Sequence, residues 1–173
     1  IAPELPHALH MPTHIFTRLG YWNESIELNS RSAVAALKYP VGDQISGHYF
    51  HALDYLAYAY LQISELEKAK NIVAVLDTLG GTYQPVAATA YCLAAVPGRV
   101  LLEEQMWSEA ANLSLNNQSN FPWNKFPQYE ALIYYAKGIG AGRSGNIEIA
   151  QQSYQKLEEL QKTFTDSESN RYW

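Results

Sequence analysis

The chain has 173 residues, of which 47% are hydrophobic and 17% are charged, and its formal net charge is −5. This balance is typical of one globular domain with a sizeable core, and the acidic charge argues against general binding of nucleic acids or anionic membranes. A single cysteine, Cys92, excludes an internal disulfide and a zinc site built on several cysteines.

Apolar periodicity and turn residues predict an all-α fold of eight helices in four antiparallel pairs, with no sheet. The polar stretch 116–127 is predicted to connect the third pair to the fourth. In chain order, the predicted helices are 12–20 with 22–38, 46–62 with 65–79, 86–104 with 108–117, and 129–143 with 146–163.

The turn inside each predicted pair repeats one pattern. A turn residue is followed two places on by an apolar residue, and three places later by a small one. The small residues are 44, 41 and 40 residues apart, at Ser25, Ala69, Ala110 and Ala150. A period near 40 predicts stacked helix-turn-helix units, approximately 6–40, 46–81, 86–118 and 129–164. We expect the three alanines to be buried where the two helices of a unit cross.

Two of these turns, RLGYWNESI at 18–26 and SGNIEIA at 144–150, resemble the turn of a tetratricopeptide repeat. More narrowly, HMPTHIF at 10–16 and HALDYL at 51–56 resemble segments of a group of bacterial tetratricopeptide-repeat proteins that have no assigned activity. The resemblance implies a right-handed α-solenoid that acts as a scaffold. A protein or peptide partner would bind in a concave groove lined by the first helix of each unit, and no catalytic residue is implied.

Side chains spaced by three, four and four residues form one stripe along a helix. In the first helices of units one and two, this stripe is almost wholly polar, whereas the neighbouring positions are apolar. If the resemblance holds, the stripe faces the groove, where arginines would bind anionic groups and tyrosines would offer flat platforms. The predicted groove residues are His14, Arg18, His51, Asp54, Tyr58, Arg99, Tyr135 and Arg143.

The five histidines lie in two groups, 7–14 and 48–51. Imidazole and carboxylate groups suit zinc or a similar divalent ion, so His10, His14, His51 and Asp54 are candidate metal ligands. The alternative function is therefore a small-molecule or metal-binding domain that could also catalyse hydrolysis. A third interpretation is that these side chains only cap helices and join them by hydrogen bonds.

Two further expectations concern the histidine-rich segment. Pro12 predicts that the first helix begins there, which would leave His7 and His10 on the segment before it. Asp54 stands in an apolar stretch, and its carboxylate needs a partner, for which His51, His14 and Arg18 are the candidates. Convergence of the imidazoles and this carboxylate within about 4 Å would favour a metal site, and splayed side chains would favour the scaffold.

No run of 18 apolar residues is present, so we predict no membrane-spanning helix. The chain begins at Ile1 and shows no signal peptide, and we expect it to be a processed or excised piece of a longer protein. The sequence indicates neither its localisation nor its oligomeric state. On balance we expect a binding domain in preference to an enzyme.

Overall fold

The computed structural model describes residues 4–115 and 121–165, and this part of the chain is all-α, as predicted. A short 3-10 turn, Trp123–Lys125, precedes α8. The helices are α1 Pro6–His10, α2 Thr13–Leu19, α3 Trp22–Lys38, α4 Gly47–Gln62, α5 Leu66–Thr78, α6 Ala87–Glu103, α7 Trp107–Ala111, α8 Pro127–Ser144 and α9 Ile147–Thr165.

The four turn residues of the repeat pattern share one backbone conformation. Gly20 and Gly145 have φ of 76° and 81°, and the non-glycine residues Ser64 and Gln105 have φ of 61° and 57°. A left-handed residue ends the helix before it, and the next helix begins two positions later in all four cases. The sequence pattern therefore marks a recurring turn geometry, even where no glycine is present.

Two predicted bounds differ from the structure. Pro6 occupies the first turn of an additional helix, α1, so His7 and His10 lie on a helix and not on an irregular approach segment. The predicted helix 108–117 ends at Ala111. The predicted positions 116 and 117 lie outside the described residues.

The expectation of no sheet is wrong in one detail. Two strands of two residues, β1 Gln44–Ile45 and β2 Thr82–Tyr83, pair in parallel in the connections that lead into α4 and α6. The Gln84 amide donates to the carbonyl of Ile45 at 3.0 Å, and the Gly47 amide donates to Oε1 of Gln84 at 2.9 Å. The two connections lie side by side because the helices that follow them pack against each other.

The small residues of the repeat pattern are buried in three units and not in the fourth. Ser25, Ala69 and Ala110 are fully buried, whereas Ala150 is half-buried, so the expectation for Ala150 is wrong. The Ala69 side chain packs in a cluster with Val100 of α6, which belongs to the next unit. Ala150 lies on α9, and among the described residues no later helix packs over it.

The core is centred on α4, whose buried side chains pack between α3 on one side and α6 on the other. Helix α6 packs in turn against α8, and α8 packs against α7 and α9. Helices α1 and α2 lie at the N-terminal end of this row, where α1 contacts both α3 and α4. Among the described residues, none of the helices is long and apolar enough to span a membrane.

Candidate metal centre

Three histidines from separate helices converge at the N-terminal end of the helix row. His10 is the last residue of α1, His14 lies in the first turn of α2, and His51 lies in the second turn of α4. One ring nitrogen of each lies within 4.8 Å of a ring nitrogen of the other two. We call these three residues the triad.

His10 is held in one orientation by α3. Its residue is 2% exposed, and its Nδ1 lies 2.7 Å from Oδ1 of Asn29. The Asn29 amide nitrogen donates to the carbonyl of Ser25 at 2.8 Å, so the amide oxygen is left to accept from His10. His10 therefore carries its proton on Nδ1, and its Nε2 presents a free lone pair to the other two histidines.

His14 lies between His10 and Tyr55. Its Nε2 is 3.1 Å from Nε2 of His10, and its Nδ1 is 2.7 Å from the Tyr55 hydroxyl. Because Nε2 of His10 can only accept, the chain of hydrogen bonds runs from Tyr55 through His14 and His10 to Asn29. A metal ion at Nε2 of His14 would instead place the proton on Nδ1, where it would donate to the Tyr55 oxygen.

His51 completes the triad from the facing helix. Its ring centre lies 4.3 Å from that of His10 and 6.0 Å from that of His14, and the ring is half-buried. The Tyr55 ring packs edge-on against all three imidazoles, with centres 4.7 to 5.3 Å away. The triad thus has a buried member, two half-buried members and an aromatic wall.

These distances are close to those of a metal site with imidazole ligands. Two nitrogens bound to one tetrahedral zinc ion are about 3.3 Å apart, since each bond is about 2.0–2.1 Å long. The Nε2 atoms of His10 and His14 are already 3.1 Å apart, and a shift of His51 by up to about 1.5 Å would complete three-fold coordination. Asn29 and Tyr55 occupy the outer positions that usually orient ligating histidines.

Burial disfavours the protonated forms of His10 and His51. The pKa of His10 is lowered to about 4, mainly by burial; the charges of the neighbouring histidines also lower it, and the hydrogen bond that His10 donates to Asn29 opposes both effects. Burial also lowers the pKa of His51, and nearby Asp54 partly opposes this. A metal ion would therefore compete with few protons for these two nitrogens.

The depressed pKa of His10 predicts that the metal-free protein loses stability in mild acid. The unfolded chain binds a proton below pH 6.5 and the folded chain does so only near pH 4, so the free energy of unfolding should fall across this window. We expect a loss of about 2 kcal/mol from this residue, allowing for partial solvent screening. Urea unfolding of wild type and His10→Gln at pH 7.5 and 4.5 measures it. An equal pH dependence in both would contradict the prediction.

The carboxylate of Asp54 is not part of the triad. Its Oδ1 accepts from Nη1 of Arg99 at 2.9 Å, and this guanidinium lies over the Tyr58 ring and within 3.3 Å of the Tyr91 hydroxyl. The partner is thus an arginine on α6, not His51, His14 or Arg18 as expected. We therefore remove Asp54 from the candidate ligand set.

The facing residues of the first two units are related by a constant offset of 41. His7 faces His48, His10 faces His51 and His14 faces Tyr55, with ring centres 5.3, 4.3 and 5.1 Å apart. The predicted stripe pairs His51 with His7, an offset of 44, and so lies about one turn too far along α4. Sequence reasoning missed Tyr55, although the spacing of His48, His51 and Tyr55 repeats that of 7, 10 and 14. No signal in the sequence indicates Asn29.

The remaining predicted groove residues lie elsewhere. Arg18 is exposed and makes no ion pair with any described residue. Arg143 lies over the Trp107 ring at 5.5 Å, and Tyr135 is 57% exposed. These last two belong to α8, whose main packing partners are α6, α7 and α9, so they are not part of the triad.

Comparisons of the chain with models of protein families, with curated proteins and with solved structures gave no match.

Proposed function

We propose that this protein binds a divalent transition-metal ion of the zinc class through His10, His14 and His51. The observation that carries the proposal is the convergence of three imidazoles from three helices, with ring nitrogens within 4.8 Å of one another. Two of the three rings are already oriented by a hydrogen bond at Nδ1, the nitrogen that would not bind the ion. Orientation of this kind is what a metal site requires of its ligands.

The ligand chemistry selects the class of ion. The triad offers only nitrogen donors, which suit zinc, copper, nickel or cobalt, whereas magnesium and calcium take oxygen ligands. Three protein ligands on a tetrahedral ion leave one position for water or a further ligand. That arrangement occurs in zinc enzymes that generate hydroxide, so it also supports the hydrolytic alternative.

A second proposal, on the fold, describes which repeat units bring the triad together. We propose a right-handed α-solenoid of about four tetratricopeptide-like units, in which equivalent first helices stack side by side. The constant offset of 41 between facing residues supports it for the first two units, and the packing of α4 on α6 and of α6 on α8 supports it for the rest. The ion would then lie between units one and two.

Titration of the protein with zinc in competition with a chromophoric chelator at pH 7.5 tests the metal proposal. We expect one tight equivalent in wild type, weakened at least about 100-fold by His10→Ala, His14→Ala or His51→Ala and about 10-fold by Tyr55→Phe. Asp54→Asn is the matched control and should bind zinc as wild type does. Absence of a tight equivalent in wild type, or a zinc affinity in the three histidine variants equal to that of wild type, would contradict the proposal. Circular dichroism checks that each variant is folded.

The second candidate is the scaffold that binds a protein or peptide. It is supported by the row of α4, α6 and α8, and by the exposed Tyr135 and Arg143 on the last of these helices. Peptides selected on the wild-type protein should lose affinity for Tyr135→Ala and Arg143→Ala. Binding insensitive to both substitutions would place the peptide on another surface.

A further inference from the structure

The histidines on α1 and α4 form two facing pairs, one helical turn apart. The inner pair is His10 and His51, which belong to the triad. The outer pair is His7 and His48, whose ring centres are 5.3 Å apart and whose planes are inclined by 44°. Three residues separate the pairs along each helix, which corresponds to a rise of about 4.5 Å.

The outer pair differs from the inner pair in its exposure and in its free nitrogens. His7 and His48 are both exposed, whereas His10 is buried and His51 is half-buried. Among the described residues, neither outer imidazole has a hydrogen-bond partner. Their ring nitrogens are therefore available to an ion that arrives from solvent.

The spacing of the outer rings matches joint coordination. Two imidazoles bound to one tetrahedral ion have ring centres about 5 Å apart, given bonds of about 2.0–2.1 Å. The observed separation of the ring centres, 5.3 Å, matches this value. An exposed pair with only two ligands would bind more weakly than the triad, because water fills the remaining positions.

We propose that His7 and His48 form a second, weaker site for the same class of divalent ion, and that this site passes the ion on to the triad. The transfer of the ion to the triad rests on the proposed metal-binding function of the triad. Binding of an ion by His7 and His48 does not rest on it. Transfer over one helical turn needs only exchange of imidazole ligands, with no change in the oxidation state of the ion. Because the ion stays bound to the protein, its effective concentration at the triad is in the millimolar range.

The experiment separates the two sites by stoichiometry and rate. Wild-type protein should take up two zinc equivalents, the second at least about 10-fold more weakly than the first. In the variant His7→Ala/His48→Ala, the weak equivalent should be lost and the tight one kept within threefold of its affinity. Stopped-flow loading of the tight site should be about 10-fold slower in this variant, as expected when capture near the site is removed. The control is Gln62→Ala, at an exposed position on the same helix as His48. It should change neither the number of zinc equivalents bound nor the loading rate.

Each other outcome overturns a defined part of the account. Binding of a single equivalent by wild type would remove the outer site. Loss of the weak equivalent with unchanged loading rate would keep the site and remove the passage. If the triad substitutions leave the first equivalent intact and the outer substitutions remove it, the outer pair is the metal site and the proposed function of the triad fails.

Discussion

Replacing Arg99 by alanine should lower the free energy of unfolding by about 3 kcal/mol, because the substitution leaves a charged carboxylate without its partner in a mostly buried position. The side chain of Asp54 is 10% exposed and that of Arg99 is 24% exposed. The guanidinium also packs over Tyr58 and donates to the Tyr91 hydroxyl, so its removal affects two contacts with α4 and one within α6. Urea denaturation measures the loss.

Arg18→Ala is the control for this substitution. It removes the same charge from an exposed position that makes no ion pair with the described residues, and we expect a change within about 0.5 kcal/mol. Asp54→Asn should cost less than Arg99→Ala, since a neutral amide replaces the charge. Equal stability of Arg99→Ala and Arg18→Ala would mean that the buried ion pair does not hold α4 against α6.

The same variants decide what Asp54 does. If the pair with Arg99 is structural, Asp54→Asn lowers stability and leaves zinc affinity unchanged. If Asp54 instead turns towards the triad when an ion binds, its substitution weakens zinc binding and the four-ligand set of the sequence analysis returns. The measurement of stability is independent of the zinc titration, because stability is measured on the metal-free protein.

Gly140→Ala should destabilise the protein by about 3 kcal/mol, at the upper end of the usual cost of overpacking. A methyl group added at Gly140 would lie 2.6 Å from the Ala110 side chain, 2.6 Å from the backbone nitrogen of Ala111 and 2.7 Å from the carbonyl oxygen of Trp107. Two of these three atoms belong to the backbone of α7, so α7 and α8 would have to move apart.

Gly142→Ala is the matched control, two residues along the same helix. A methyl group there meets nothing within 4 Å, and alanine is favoured over glycine inside helices by about 1 kcal/mol. Thermal and urea unfolding should therefore show that Gly140→Ala is less stable than wild type and that Gly142→Ala is at least as stable as wild type. If both variants behave alike, the close approach of α7 to α8 is not as the structure describes it.

The parts of the fold that sequence reasoning predicted are those with local causes. The repeat pattern that locates the turn residues at 20, 64, 105 and 145 involves only the five residues that follow each of them. The next helix begins two positions after each turn residue. The histidine groups were found because polar residues at helical spacing stand out among apolar ones. Neither signal depends on how distant segments meet.

The parts that it missed depend on the register between helices. The choice between an offset of 41 and one of 44 between the first two units decides whether Tyr55 or Tyr58 faces His14. The turn pattern favours 44 and the histidine spacing favours 41, so local features do not decide between them. Asn29 contacts His10 across 19 residues, and Asp54 contacts Arg99 across 45. Asn29 on α3 has no distinguishing pattern of its own, and the stripe that selects Arg99 on α6 does not indicate that it pairs with Asp54, so both roles follow only from packing.

The central claim is that His10, His14 and His51 jointly bind one divalent ion, and X-ray absorption at the zinc edge tests it most directly. The protein should be loaded with less than one equivalent of zinc, so that the tight site alone is filled. We predict three imidazole nitrogens and one oxygen ligand at about 2.0–2.1 Å from the metal. A spectrum with two imidazoles or fewer, or with a shell of oxygen ligands alone, would contradict the claim.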